Sequence, residues 1–118
     1  MNNYFIILAS GQSKRFNSKK PKQFNIYKNK PLFEHSIDKA LKSKLFKKII
    51  LVVKNKKMIK KKYPQNVLII KGGKERSVSS LLALKYIKKF KPNNVLIHDA
   101  ARPNFSINLL KRLILSIK

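Results

Sequence analysis

Residues 4–16 read YFIILASGQSKRF, and the reading of this stretch decides the fold. Five apolar or aromatic residues, Tyr4 to Leu8, stop at Ala9, Ser10 and Gly11, and two cations, Lys14 and Arg15, follow. A short unbroken apolar run ended by small residues reads as a buried strand entering a loop. Strands apolar on both faces belong to parallel sheets, in which helices return the chain and cover each side. The remaining sequence supplies both parts. Further β-branched runs stand at 48–53 (KIILVV), 67–70 (VLII) and 95–98 (VLIH). Helical spacing appears at 32–43 through Phe33, Ile37, Ala40 and Leu41, and from about Val78 to Phe90 through Leu81, Leu82, Leu84 and Ile87. It returns in INLLKRLILSIK, where Leu110, Leu113, Ile114 and Ile117 make one stripe. The expected fold is α/β, a Rossmann-like three-layer sandwich with a mostly parallel sheet.

At 118 residues the chain is one domain or part of one, with no repeat and no linker inside it. An apolar fraction of 43% argues against a disordered basic tail. Cysteine is absent, which removes disulfide frameworks and thiolate metal sites and fits a cytoplasmic setting. No apolar run approaches the ~20 residues of a membrane helix, and the start lacks the pattern of a signal peptide. A soluble protein without a membrane partner is expected.

The net charge of +25 is conspicuous, and nucleic acid is its usual partner. The excess, however, is 25 lysines against 4 arginines, spread through every segment. Base readout favours arginine forks and aromatic platforms, whereas lysine is a solvated point charge. General drift in residue usage explains the lysines better, and nucleic acid is not the expected partner. The strongest run, Lys54–Lys62, reads as a solvated short helix or loop.

Against this background the scarce residues are informative. The arginines are Arg15, Arg76, Arg102 and Arg112, the glycines Gly11, Gly72 and Gly73, and the acids Glu34, Asp38, Glu75 and Asp99. Three arginines, all three glycines and two acids fall in ASGQSKRF, GGKERSVSS and HDAARP. Each stretch directly follows an expected strand. In a parallel sheet the carboxyl ends share one edge, and ligands bind in the crevice there. Three chemical stretches therefore converge on one place.

Each stretch also has a plain structural reading. ASGQSKRF is neither a Walker loop nor a GxGxxG fingerprint, so a turn competes with a phosphate loop in which Gly11 admits backbone N–H groups and Arg15 and Lys22 add charge. Gly72 and Gly73 could lie flat against a base, or simply turn the chain ahead of a helix bearing Ser79 in its first turn. Asp99 suits a Mg²⁺ ion at a polyphosphate, or else a helix cap or an ion pair with Arg102. His35 and His98 lack metal-site company and read as structural.

Taken in order, ASGQSKRF, KPKQF, LFEHSIDKAL, GGKERSVSSLLAL and VLIHDAARP resemble the 2-C-methyl-D-erythritol 4-phosphate cytidylyltransferase family over essentially the whole chain. Ribitol-5-phosphate cytidylyltransferases share the pattern, and the first loop is common to many sugar nucleotidyltransferases. The resemblance implies transfer of CMP from CTP to an alcohol phosphate with release of pyrophosphate, a step of non-mevalonate isoprenoid synthesis. It implies that Ala9, Ser10 and Gly11 line the CTP site and that Arg15 and Lys22 stabilise charge on the triphosphate. Gly73, Lys74 through its main chain, and Ser79 match positions that recognise cytosine. Asp99 matches a Mg²⁺ ligand, and Ala100 a position near the ribose.

Some features depart from the family. Ser13 and Lys14 stand where glycine and arginine are usual, and Lys74 replaces a commonly acidic residue. Family members are also longer. The resemblance therefore implies the nucleotide-binding part of the domain, spanning 1–118 and truncated at its C-terminus. A separate C-terminal half or a homodimer is the implied partner. CTP binding by such a chain alone is expected to be weak, and turnover poor.

Overall fold

The computed structural model describes residues 2–9, 26–27, 30–59, 61–73, 75–100 and 106–117. Strand β1 (Asn3–Ala9) is followed by a two-residue antiparallel ribbon of β2 (Ile26–Tyr27) and β3 (Lys30–Pro31). Helix α1 (Leu32–Ser43), β4 (Lys48–Val53), β5 (Val67–Lys71), α2 (Arg76–Ile87), β6 (Asn94–Asp99) and α3 (Ile107–Ile117) complete the order. The four long strands form one parallel sheet in the order β5-β4-β1-β6. The strands expected at 48–53, 67–70 and 95–98 are there, each within one residue at either end. The β2–β3 ribbon was not expected, because two-residue strands carry no periodicity.

β1 is the axis of the domain and all seven of its residues are buried. Its side chains alternate between two cores. Phe5, Ile7 and Ala9 join Ile49, Leu51 and Val53 of β4 under α1 and α3, where Phe33, Ile37, Ala40, Leu110 and Ile114 close over them. Tyr4, Ile6 and Leu8 join Ile50 and Val52 under α2, which supplies Ala83 and Ile87. The register Phe5↔Ile49, Ile7↔Leu51 and Ala9↔Val53 brings like-facing residues side by side. Each fully buried isoleucine or leucine contributes about 1.5–3 kcal/mol over its exposed state, so this doubly buried strand fixes the fold. Helices on both faces make the three layers.

The helices differ from the sequence expectation in the faces they bury. On α2 the buried residues are Ser79, Ala83 and Ile87, while Leu81, Leu82 and Leu84 are exposed. Small residues at four-residue spacing bring the helix close to the sheet, which leucines at those positions would prevent. On α3, Leu110 and Ile114 are buried but Leu113 is exposed.

At the amino ends of the strands, asparagines tie β1 to its neighbours. The Asn94 amide donates to Asn3 Oδ1 (2.8 Å), and the Asn3 amide donates to the Leu45 carbonyl (3.2 Å). The Asn2 N–H donates to Asn93 Oδ1 (2.9 Å), and the Lys47 N–H to the Asn3 carbonyl (2.8 Å). Among the described residues no helix is long and apolar enough to cross a membrane.

Candidate active site

The chain leaves β1 for β4 and β5 on one side, then returns to pair β6 on the other side of β1. This reversal places the topological switch point between the carboxyl ends of β1 and β6, the usual ligand position in such sheets. Ala9 and Asp99–Ala100 flank it. Asp99 lies opposite Leu8 in the register, and the Ala100 N–H donates to the Leu8 carbonyl (2.9 Å). On the far side, Ala9 is level with Val53 and Val53 with Lys71, and the Gly72 N–H donates to the Val53 carbonyl (2.8 Å). From β6 to β5 the edge spans three strand spacings, about 14 Å.

Asp99 ends the strand NVLIHD and is half-buried. Leu96 and Ala100 belong to the core under α1 and α3, and Val95 to the core under α2. Strand alternation therefore puts Asp99 on the α2 face of the sheet. Helix α2 packs on that same face, so Asp99 and the Gly72–Gly73 turn that leads into α2 lie along one edge of the sheet, at the ends of its outer strands β6 and β5. His98 turns to the opposite face, where its ring stacks on Phe5 at 5.9 Å between centroids. This fits its structural reading.

The Gly72–Gly73 turn is held by Ser79. The Ser79 hydroxyl accepts from the Gly73 N–H (3.1 Å) and donates to the Gly73 carbonyl (3.2 Å), and the residue is fully buried. Glu75, not a serine, occupies the N-cap of α2, and its side chain makes no capping bond. Glycine is required at 73 by close approach, since a Cβ there would stand 2.5 Å from Val78 Cγ1 and 3.0 Å from Val78 Cβ. Val78 is thus part of the turn, and nothing in its sequence context signals that.

Among the described residues no three His, Cys, Asp or Glu side chains gather as a metal cage. A single carboxylate at the carboxyl edge of such a sheet nevertheless suits Mg²⁺, which takes one or two carboxylates and completes its shell with a ligand's phosphate oxygens and water. The donor set therefore fits a metal carried in with a polyphosphate and not one held by the protein alone.

The family model described as IspD, 2-C-methyl-D-erythritol 4-phosphate cytidylyltransferase, matches residues 4–118. The chain belongs to the IspD family. It is 56% identical over 120 residues to a bifunctional enzyme IspD/IspF of Pelagibacter ubique, covering 100% of this chain and 32% of that protein. Among solved structures it resembles the bifunctional IspDF of Campylobacter jejuni, with 35% identity and a TM-score of 0.83 over 100% of this chain and 31% of that one. A Francisella tularensis 2-C-methyl-D-erythritol 4-phosphate cytidylyltransferase is 28% identical with a TM-score of 0.78, covering 98% and 52%. The chain thus spans about a third of the bifunctional relatives and about half of the single-function one.

Of the IspD-type positions expected from sequence, Ala9, Gly73, Ser79, Asp99 and Ala100 all lie along the carboxyl edge of the sheet. Ser10, Gly11, Arg15, Lys22 and Lys74 lie outside the described residues. In the sequence Ser10 and Gly11 come next after Ala9, and Lys74 stands between Gly73 and Glu75.

Proposed function

We propose that this chain carries the CTP-binding edge of a 2-C-methyl-D-erythritol 4-phosphate cytidylyltransferase. The observation that carries the reading is that Asp99–Ala100, Ala9 and the Ser79-held Gly73 turn all stand along the carboxyl edge of one sheet, at and beside its switch point. The main chain of Ala9, Ser10 and Gly11 lines the triphosphate, and Ala100 lies against the ribose. Lys74 contributes its main chain to cytosine recognition. Gly73 does so through the second lone pair of its carbonyl, while Ser79 keeps the turn in place.

In the reaction an acceptor phosphate oxygen attacks the α-phosphorus of CTP in line. The new P–O bond forms as the bond to the bridging oxygen breaks, and pyrophosphate leaves with that oxygen. Catalysis of this type is positioning plus charge stabilisation. Arg15 and Lys22 stabilise charge on the transferred and leaving phosphates. Asp99 holds Mg²⁺, which when bound neutralises phosphate charge. The acceptor binds against a part of the relatives' length that the match does not reach. Transfer is therefore expected from the chain together with that part, in cis, as a separate C-terminal piece, or in a homodimer. A cytoplasmic location accords with this chemistry.

Calorimetric titration tests the reading. CTP is expected to bind weakly, to need Mg²⁺, to be preferred over UTP, ATP and GTP, and to be lost with Asp99→Ala. Binding indifferent to base and to Mg²⁺ would overturn it. Tight binding of a single-stranded oligonucleotide that survives Asp99→Ala, with a steep salt dependence, would favour a nucleic-acid module instead. Pyrophosphate release with 2-C-methyl-D-erythritol 4-phosphate, compared with ribitol 5-phosphate, assigns the acceptor.

A further inference from the structure

The lysine run after β4 has no part in the site described so far, yet it starts at the same edge. Lys54 is the first residue past β4, beside the Val53 carbonyl that receives the Gly72 N–H. Asn55 caps a short 3₁₀ turn, Lys56–Met58, by accepting from the Lys57 N–H (3.0 Å), and Ile59 packs partly into the core under α1 and α3. The turn is therefore anchored at both ends while Lys54, Lys56 and Lys57 are exposed. Lys71, level with Val53 at the end of β5, is exposed as well, and so is Arg76 at the start of α2. Among the described residues the acids at this edge are Glu75 and Asp99, so cations outnumber them.

We propose that Lys54, Lys56, Lys57 and Lys71 form a cationic approach that steers the polyphosphate of a nucleoside triphosphate into the crevice and sets its association rate. The inference rests on the nucleotide-binding reading above. Lysine number alone does not carry it, because the amino edge is just as basic, with Lys44, Lys47 and Lys88 exposed. Distance does. The two edges are a strand apart, about 20 Å for seven residues, which exceeds two screening lengths of about 8 Å at physiological salt. Only the carboxyl-edge charges are close enough to act on an incoming anion before it docks. Charges of this kind raise association rates by roughly 10–10³-fold at low salt and leave dissociation largely alone.

The experiment compares two triple variants of identical net charge, Lys54→Gln/Lys56→Gln/Lys57→Gln and Lys44→Gln/Lys47→Gln/Lys88→Gln. Stopped-flow mixing with Mg²⁺ and fluorescent mant-CTP, at low and high salt, gives both rate constants. The carboxyl-edge variant is expected to lose about tenfold in association rate at low salt, with little change in dissociation. Its salt dependence should flatten, while the amino-edge variant stays within about twofold of the parent. Equal losses in both variants, or none in either, would overturn steering by this edge. So would a carboxyl-edge variant with unchanged mant-CTP kinetics that loses binding of a single-stranded RNA, since the patch would then serve nucleic acid. Absence of mant-CTP binding in every form sinks the nucleotide-binding reading itself, and the steering with it.

Discussion

The two edges of the sheet are built from opposite materials. At the amino edge, main-chain and amide groups of Asn2, Asn3, Asn93 and Asn94 satisfy one another and the Leu45 and Lys47 backbone. At the carboxyl edge the strands run out into a carboxylate, a Gly-Gly turn and small residues. A central strand needs its polar groups satisfied from both sides, and asparagine, with donor and acceptor on one short arm, does this economically. The amino edge is thus a clasp, and the carboxyl edge is the one for which we propose a ligand. Opposite substitutions should separate the two roles.

The largest effect is expected from Asp99→Ala. Mg²⁺-dependent CTP binding, and transfer where it is measurable, should fall by about 10² or more, the scale on which a charge-stabilising group is lost. The melting temperature should hardly move. A large drop in melting temperature would make Asp99 part of the scaffold and blur the contrast. Asn3→Ala should do the reverse. It removes the acceptor of the Asn94 amide and the donor to Leu45, at a cost of about 1–3 kcal/mol in denaturant unfolding, with CTP affinity unchanged.

Ser79→Ala is the sharper probe, because Ser79 sits at the carboxyl edge but does the work of a clasp. Its hydroxyl accepts from the Gly73 N–H and donates to the Gly73 carbonyl. Stability should fall by about 1–2 kcal/mol, since two groups of a half-buried turn lose their partner. CTP affinity should fall a few-fold as the turn loosens. Ser79→Thr retains the hydroxyl and should recover the affinity to the extent that the buried site admits a methyl group. Loss of affinity without loss of stability would instead put the hydroxyl in contact with the base.

The fold was legible because the strands are apolar on both faces, as in a covered parallel sheet, and the placement of Gly73, Ser79 and Asp99 along one edge because their stretches directly follow strands. The helical faces were less legible. Leucines advertise burial, yet beside the expected Ile87 α2 turns Ser79 and Ala83 to the sheet, because contact distance there rewards small side chains. The asparagine clasp was hidden for a different reason. In a chain rich in asparagine and lysine, Asn2, Asn3, Asn93 and Asn94 look like the background, and only the pairing of β1 with β6 across 91 positions gives them meaning. Val78 was hidden likewise, since its closeness to Gly73 is a property of the turn.

The smallest expected effect concerns glycine and returns to the two edges. Lys44 ends α1 with φ 56° and Lys91 ends the turn after α2 with φ 52°, both in the left-handed region. A non-glycine residue there costs about 1–2 kcal/mol, and helix ends of this kind usually take glycine. Both positions are at the amino edge. Gly72 and Gly73 stand at the carboxyl edge, and no glycine among the described residues has positive φ. Glycine is thus spent where a neighbour comes close, at Gly73 against Val78, while lysine is tolerated where the backbone alone would favour glycine. Lys44→Gly and Lys91→Gly should each stabilise the chain by about 0.5–1 kcal/mol, the strain relieved less the added freedom of the unfolded chain. CTP binding should not change. Gly73→Ala, a change of one methyl group at the other edge, should lower both stability and affinity. If Gly73→Ala instead stabilised the chain and the two lysine-to-glycine changes destabilised it, conformational freedom of the unfolded chain alone would account for the glycines, and the close approach at Gly73 would carry no functional weight.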